Sequence, residues 1–543
     1  MHLYSSFQLY TTIMKPNPQP LPYKDTVGEL TGGSDPSPTP PLLGYALPTS
    51  FLTRERSLHE PYPDLIKSKQ GSGLKANEVI MEGWAAQELQ YAQLGDARRH
   101  KRLVRLVEDL AAQPNESVPQ ACGDWAATKA AYEFWKSPRI KPDDIRTAHQ
   151  KSTVERVKEH NVVLAIQDTT DLNFTHHPSK QGVGPISSQS KVMGLKVHSV
   201  LGVSILGVPL GMLHQQVWTR NPQEVGKRHR RRQRQTEDKE SQRWLTALTA
   251  TESAVPEELE VVTLADREAD IYDLLAITRR ERSHLLIRGT HNRRVNHEAE
   301  YLHQAICQTP IVGELTIDVP RGDDRPTRQA TLTIRFASLE IQPPRHHLKR
   351  LALEPVTVQV LLAQEENPPD DTTPISWLLL TTLPVNSFDE AVQYVRWYTY
   401  RWLIERYHFV LKSGCRLEHL QLETAERIER ALATYSIVSW RLLWVTYEAR
   451  QKSQAPCDAV LATHEWQALY CTIHSSPIPP TTPPSLQQAV LGRAQLGGFL
   501  GRKHDGEPGV KTLWRGWQRL HDIAATWQLL HSHQPTQPLL STS

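Results

Sequence analysis

The sequence has few cysteines and no long apolar run. Its five cysteines are far apart, odd in number and form no C-x-x-C pair, which argues against both a disulfide framework and a structural zinc site. No stretch approaches the roughly 18 consecutive apolar residues that cross a bilayer. The amino terminus also lacks the basic and apolar segments of a secretion signal. We therefore expect a cytosolic protein that has no membrane partner.

Charge of one sign is also scarce. The 62 Lys and Arg residues nearly balance the 59 Asp and Glu residues, which gives a net charge of +3 for 543 residues. This balance does not by itself identify a nucleic-acid-binding protein, because phosphate contacts depend on local clusters of cations. One such cluster is the run KRHRRRQR at 227–234, which we expect to be mobile unless phosphates neutralise it.

The first part of the chain divides into two regions of different composition. Residues 1–78 are rich in Pro, Ser, Thr and Gly, and they predict a disordered tail because they offer little apolar surface to bury. Residues 79–150 predict a helical module, since apolar residues from Leu103 to Leu110 recur at helical spacing beside a run of Arg and Lys. A DNA-binding unit and an ordinary solvated helix both explain this basic face.

From about residue 151 to 420 the pattern is that of an α/β domain. The apolar run Val162–Ile166 leads to Asp168, and the run 261–265 leads to Asp266. We therefore expect each acid at the end of a buried strand, where its carboxylate is held rigidly at a sheet edge.

Two further regions follow in the carboxy-terminal half. A β-rich insertion is predicted at about 295–385, where four segments alternate apolar and polar residues: 313–320, 328–341, 356–365 and 375–385. Residues 421–543 predict a helical region that is interrupted by a Pro-rich break at 477–484.

A helix is predicted over 388–412, between a capping box that begins at Ser387 and a stop at Gly414. On a continuous helix, one face within roughly 60° carries a phenol, two cations and an acid: Tyr398, Arg401, Glu405 and Lys412. A salt-bridged surface stripe also explains this pattern. Together with the two strand-end aspartates, however, the stripe favours two-metal phosphoryl transfer, in which carboxylates on rigid elements bind Mg²⁺ ions.

The spacing Y-x2-R-x3-E-x6-K from Tyr398 to Lys412 resembles the signature of the insertion-sequence-four family of DDE transposases. Several other segments are similar to parts of that family, and they occur in the same order from about Trp84 to the terminal helices: LAIQDTT around Asp168, KES-x2-W from Lys239, DREADI from Asp266, WLLLT from Trp377 and LGGF from Leu496. The resemblance thus covers nearly everything except the Pro-rich tail.

The resemblance implies a fold and a reaction. It implies an RNase H-like catalytic core with the β-rich insertion, an amino-terminal module that binds transposon ends, and a carboxy-terminal region that forms a homodimer. Asp168, Asp266 and Glu405 would be the catalytic residues and would bind two Mg²⁺ ions, for which Mn²⁺ would substitute. The expected substrates are the terminal inverted repeats and the target, both double-stranded DNA. The implied route is nicking, hairpin formation, reopening by water and joining to target.

The same resemblance implies DNA contacts for six residues: phosphates near the hairpin for Tyr398, Arg401 and Lys412, a flipped-out base for Trp377 and Trp402, and a further contact for Arg288. Stacking of an aromatic ring on an extruded base contributes about 1–3 kcal/mol per base. Ordinary strand core remains open for Trp377, and a strand-end surface charge remains open for Arg288. We interpret Glu268 and Asp270 as supporting or capping groups.

Two rival functions remain open from the sequence. One is a host nuclease on the same fold that cuts DNA without joining it. The other is a non-catalytic repressor that occupies transposon ends. The three acids argue against the repressor, because carboxylates that face phosphate would only weaken binding.

Overall fold

The computed structural model of the chain describes residues 83–187, 191–224, 239–319, 328–347, 350–370, 372–502 and 508–531. The Pro-rich tail at 1–78 and the basic run at 227–234 lie outside these ranges. Within the described ranges, no helix has both the length and the apolar character needed to span a membrane.

Five helices form the amino-terminal part of the described chain: α1 (Trp84–Glu88), α2 (Ala97–Ala112), α3 (Val118–Cys122), α4 (Trp125–Lys136) and α5 (Pro142–Val157). α2 begins where the Asp96 side chain accepts a hydrogen bond from the backbone N–H of Arg98, a favourable N-cap. The predicted apolar stripe is confirmed, because Leu103 and Leu110 are buried. Lys101 on the same helix is exposed.

Ten strands form one sheet: β1 (Val162–Asn173), β2 (Gly184–Pro185), β3 (Met193–Ser204), β4 (Pro209–Trp218), β5 (Glu260–Ala265), β6 (Ser283–Arg288), β7 (Gly313–Val319), β8 (Arg328–Ile341), β9 (Val356–Gln364) and β10 (Ser376–Thr381). The order is β2-β3-β1-β5-β6-β10-β9-β8-β7, with β4 also paired to β3. β3 is antiparallel to its two neighbours β4 and β1, whereas β1, β5 and β6 are parallel. Three antiparallel strands followed by two parallel ones give the RNase H-like fold that the resemblance implied.

The predicted β-rich segment continues this sheet. β10 pairs antiparallel with β6 through Leu379–Thr381, and β9, β8 and β7 follow as an antiparallel meander. The four expected strands are present, although the last ends at Thr381 and therefore short of residue 385. The alternation of apolar and polar residues predicted where these strands lie. It could not predict that they would pair with β6 and extend the same sheet.

Nine more helices complete the described fold: α6 (Gln242–Ala254), α7 (Tyr272–Ala276), α8 (Leu302–Cys307), α9 (Phe388–Thr399), α10 (Leu403–Phe409), α11 (Ala425–Gln451), α12 (Thr463–His474), α13 (Leu486–Leu496) and α14 (Val510–His531). Side chains alternate between the two faces of β1. Val163 and Ala165 pack with α6, whereas Leu164 and Ile166 pack in the core that includes α10 and α11. The same alternation places Asp168 on the α10 side of the sheet.

Candidate active site

Asp168 and Asp266 lie side by side at one edge of the parallel part of the sheet. β1 and β5 pair in register up to Ile166 opposite Leu264, and each aspartate comes two residues later. Leu164, Ile166, Val262 and Leu264 all belong to the core on the α10 side, so both carboxylates point to that side. The parallel register thus brings two acids together that are 98 residues apart in the chain.

Asp168 does not end its strand, and this corrects the expectation from the sequence. β1 continues to Asn173, because it keeps its antiparallel pairing with β3 as far as Asn173 opposite Gly194. Only the pairing with β5 stops, at Ile166. The apolar run therefore ends where β1 loses β5 as a neighbour, and β1 itself continues beyond that point. Asp266, in contrast, directly follows β5 as expected.

Burial is the main cause that raises the pKa of the Asp266 carboxyl to about 6, and the negative charge of Asp168 acts in the same direction. A hydrogen bond of 2.9 Å from the Glu268 backbone N–H and the charge of Arg401 oppose this rise. Two carboxylates held side by side repel each other when both are ionised, and a divalent cation between them would remove that repulsion. This all-oxygen donor pair therefore fits a hard divalent ion.

Glu405 makes an ion pair instead of joining the two aspartates. Its Oε1 accepts a hydrogen bond of 2.5 Å from Nη2 of Arg401, and its side chain is 44% exposed, against 8% for Arg401. Arg401 in turn lies close enough to Asp266 for its positive charge to lower the pKa of that carboxyl. Across the described ranges, no three His, Cys, Asp or Glu side chains are arranged to hold a metal ion. The structure thus brings Asp168 and Asp266 together and links Glu405 to them through Arg401.

The predicted helix over 388–412 is interrupted, which corrects the expectation of one continuous stripe. α9 begins at the predicted cap, where the Ser387 side chain accepts from the backbone N–H of Glu390. A 3₁₀ turn at Tyr400–Trp402 then separates α9 from α10, and a π-helical turn follows at Val410–Gly414. These turns differ from the 3.6 residues per turn of an α-helix, so the predicted stripe does not stay on one line.

Because the helix is interrupted, the four residues of the predicted stripe contact different partners. Arg401 and Glu405 still meet, but the buried Tyr398 contacts the Trp377 ring, and Nζ of Lys412 lies 3.8 Å from Oε1 of Glu418. Glu418 also accepts a hydrogen bond of 2.7 Å from the backbone N–H at the end of β1. Lys412 is therefore anchored beside the strand that carries Asp168.

Three matches to known families run in order along the chain. Residues 81–140 match the transposase DNA-binding family, residues 164–441 match the transposase DDE domain, and residues 437–533 match the transposase Tn5 dimerisation domain. The DDE match covers just over half of the sequence.

The chain belongs to the DDE transposase family. The order of the three matches is that of a Tn5-like member of the insertion-sequence-four group. It is an enzyme of DNA transposition that uses divalent metal ions, and its domains provide for DNA binding and homodimer formation.

One solved structure similar to the transposase is the "piggyBac transposase synaptic complex with hairpin DNA". It is 9% identical, the match covers 85% of this chain and 77% of that one, and the TM-score is 0.30. A likeness this distant carries no argument about residues.

Two of the other predicted DNA-contacting residues lie on the same side of the sheet as the aspartates: Arg288 and Trp377. Arg288 is level with Asp266 across the parallel β5–β6 pair, and its Nη2 donates to the carbonyl oxygen of Ser376 at 3.1 Å. Trp377 is partly buried, and its ring meets that of Tyr398 edge to face with the centroids 5.9 Å apart. Both a contribution to the core and access to a ligand are compatible with this placement.

Trp402 is more open to solvent than Trp377. Its side chain is 39% exposed, and the guanidinium of Arg406 lies 4.8 Å from the centroid of its ring. The 3₁₀ turn ends at this residue, immediately before α10. The indole is therefore accessible to solvent at the junction between the two helical segments.

The sequence did not point to Arg243, which connects the two aspartate-bearing segments. From α6, Nε donates to Oγ1 of Thr169 at 2.8 Å, and Nη2 donates to Oε2 of Glu268 at 2.6 Å. Thr169 follows Asp168, and Glu268 lies two residues after Asp266. The resemblance covered the neighbouring Lys-Glu-Ser and Trp residues. It gave no sign of the hydrogen bond between Arg243 and Thr169, which are 74 residues apart in the sequence.

His408 is the second residue that the sequence did not single out. It is buried on α10, and its Nδ1 lies 3.6 Å from Oδ2 of Asp168. The helix that carries Glu405 thus contacts β1 directly at the first aspartate. Helical spacing placed His408 only slightly away from the signature face, and this was the available signal.

Proposed function

We propose that this transposase moves DNA by a cut-and-paste route in which Asp168, Asp266 and Glu405 bind two Mg²⁺ ions, with Mn²⁺ as a substitute. The pairing of Asp168 with Asp266 on adjacent parallel strands is the observation that supports this most strongly. When bound, the two ions supply activation of the attacking oxygen and stabilisation of the leaving oxygen in an in-line displacement at phosphorus.

Glu405 would join the metal site by exchanging partners. In its ion pair with Arg401 the Glu405 side chain is 44% exposed, so its carboxylate is accessible to a metal ion that competes for it. The negative charge of the aspartates would meanwhile keep Arg401 nearby, where its guanidinium can bind a phosphate oxygen of the scissile strand. Lys412 and Tyr398 would hold neighbouring phosphates.

The remaining chemistry is assigned to residues on the same side of the sheet. Trp377 and Trp402 would stack on a base that flips out at the hairpin, and Arg288 would bind DNA beside them. The proposed sequence is nicking, hairpin formation, reopening by water and joining to target DNA. All of these are displacements at phosphorus, so one set of carboxylates serves each step.

We propose the domain division that the sequence suggests. Residues 79–150 bind the terminal inverted repeats, 151–420 catalyse, and 421–543 form the homodimer. The protein would act in the cytosol on double-stranded DNA. The family matches support the order of these functions along the chain.

The test is strand cleavage by purified protein on a duplex that carries the inverted repeats flanking the gene. Asp168→Ala, Asp266→Ala and Glu405→Ala should each abolish nicking, while binding of the duplex persists. EDTA should abolish nicking, and Mg²⁺ or Mn²⁺ should restore it. Loss of duplex binding in all three variants, or full cleavage in EDTA, would refute the proposal. Cleavage without any joined product would support the nuclease instead.

Hairpin formation requires a separate test, which uses Trp377. Trp377→Ala should slow hairpin formation by more than it slows the first nick, because base stacking acts only when the nucleotide is extruded. Trp377→Phe, which keeps a ring against Tyr398, should retain most of the hairpin rate. Rates for the two steps can be measured on pre-nicked and intact duplexes. An equal loss in both steps would indicate that Trp377 only packs in the core.

A further inference from the structure

Asp270 is buried at the end of the short segment that begins with Asp266, and its carboxylate accepts four hydrogen bonds. Its side chain is 0% exposed. Oδ2 accepts from the backbone N–H groups of Thr290 and His291, both at 2.8 Å. Oδ1 accepts from Nε and Nη2 of Arg293 at 3.0 and 2.5 Å. One carboxylate therefore fixes the backbone and a side chain of the loop that follows β6.

This loop, residues 289–294, is short and exposed at its tip. Thr290, His291 and Asn292 are exposed. The side chain of Arg293 is only 9% exposed and is bound by Asp270, whereas Arg294 is partly exposed. Arg288 leads into the loop from the end of β6. Two partly exposed arginines, Arg288 and Arg294, lie on either side of this exposed turn and can bind phosphate oxygens of DNA.

The segment from Asp266 to Asp270 is itself closed by hydrogen bonds. Asp266 accepts from the Glu268 backbone N–H at 2.9 Å, and the backbone N–H of Asp270 donates to the carbonyl of Arg267 at 3.3 Å. One tight turn thus carries a proposed metal ligand at its first residue and the anchor of the loop at its last. Its geometry ties the position of the loop to that of Asp266.

We propose that Asp270 is a positioning residue that holds the loop 289–294 as a DNA-phosphate-binding element at a fixed distance from Asp266. This inference rests on the proposed function. A carboxylate is needed because it is acceptor-only and can receive two backbone N–H groups and a guanidinium together, whereas an amide would turn a donor towards one of them. Asp270 acts through Arg288 and the loop and does not itself touch the DNA.

The test is a double-mutant cycle on duplex cleavage. Asp270→Asn and Arg288→Ala should each slow cleavage, by roughly 100-fold where the loop shifts by about 1 Å. The combined variant should be no slower than the slower single variant, because both remove the same contact. Asp270→Asn should also weaken the salt dependence of duplex binding. Asp273→Asn, whose partner His347 lies outside the loop, is the matched control and should cleave normally.

The inference is overturned if the rate losses of Asp270→Asn and Arg288→Ala multiply in the combined variant and Asp270→Asn leaves the salt dependence of duplex binding unchanged. If Asp270→Asn does not fold, Asp270→Asn with Arg293→Gln removes both buried charges together and avoids leaving one unpaired. The same cycle with Arg288→Ala then applies, with the same two outcomes. Failure of the wild-type protein to cleave would instead refute the proposed function, so the two failures are distinguishable.

Discussion

At the scale of the residue, Asp266 is held where its charge is unfavourable. Burial and the neighbouring Asp168 raise its pKa from the ordinary 3.8 to about 6. The folded state therefore binds a proton more tightly than the unfolded state, so this residue costs stability increasingly as pH rises from 3.8 to 6. Such a cost is typical of a site shaped for a ligand that the metal-free protein lacks.

We predict that Asp266→Asn raises the melting temperature of the metal-free protein at pH 7.5 and raises it less at pH 5. The amide removes the charge above pH 6 and keeps an acceptor for the Glu268 N–H. Calorimetry of both proteins at the two pH values measures the difference. The exposed Asp458→Asn is the control and should change the melting temperature little. Destabilisation by Asp266→Asn at both pH values would contradict this account.

The sequence could identify the candidate acids but not the groups that surround them. A four-residue signature and two short segments were enough to select Asp168, Asp266 and Glu405. The bridge made by Arg243 and the approach of His408 depend on side chains that meet only after the sheet and its covering helices have formed.

At the scale of the element, the amino-terminal helices are joined to the core by a buried charge network. Glu88 of α1 accepts from Nδ1 of His149 at 2.6 Å and from Nη1 of Arg156 at 2.7 Å, and both partners lie on α5. Nε2 of His149 in turn accepts from the Met212 backbone N–H of β4. Burial alone would raise the pKa of Glu88, but its interactions with His149 and Arg156 lower it overall.

We predict that Glu88→Ala lowers the free energy of unfolding by about 3–5 kcal/mol, because it leaves buried charge without its partner. Glu155→Ala is the matched control: it removes an exposed pair between α5 and Lys158, which follows the helix, and it should cost less than about 1 kcal/mol. Denaturant titrations of both variants provide the comparison. Equal effects would mean that the network does not stabilise the junction.

Helices and strands were predictable where apolar residues recur at a regular spacing, and they were not predictable where that spacing changes. Alternation located the strands, and a capping box placed the start of α9 at Ser387. The 3₁₀ turn and the π turn that follow were not predictable, since their sequence alone reads as a continuous helix. Gly414 was interpreted as a helix stop, but it is also required for space: a Cβ there would come within 2.5 Å of the Trp514 ring.

At the scale of the whole molecule, the carboxy-terminal helix contacts the segment that follows Glu405. The rings of Phe409 and Trp514 stack with centroids 5.7 Å apart. The region matched to the dimerisation domain is therefore packed against the catalytic domain. The order of domains could be predicted from the sequence, whereas this contact could not, because about 100 residues separate its two sides.

We predict that Leu529→Asp combined with Leu530→Asp weakens the homodimer at least about tenfold. Both side chains are 70% exposed near the end of α14, and adjacent exposed apolar residues are typical of an interface. Sedimentation of the protein bound to duplex ends measures the dimer. Leu351→Asp, a change at a fully exposed leucine outside the region matched to the dimerisation domain, is the control. An unchanged dimer in the double variant would place the interface elsewhere.

The most direct test of the central claim is anomalous diffraction from crystals of the transposase bound to cleaved DNA ends in Mn²⁺. We expect two Mn²⁺ peaks on the α10 side of the sheet, with oxygens of Asp168 and Asp266 as ligands and with Glu405 turned from Arg401 to the metal. Peaks bound by other residues, or a Glu405 still paired with Arg401 in a complex competent for cleavage, would contradict it.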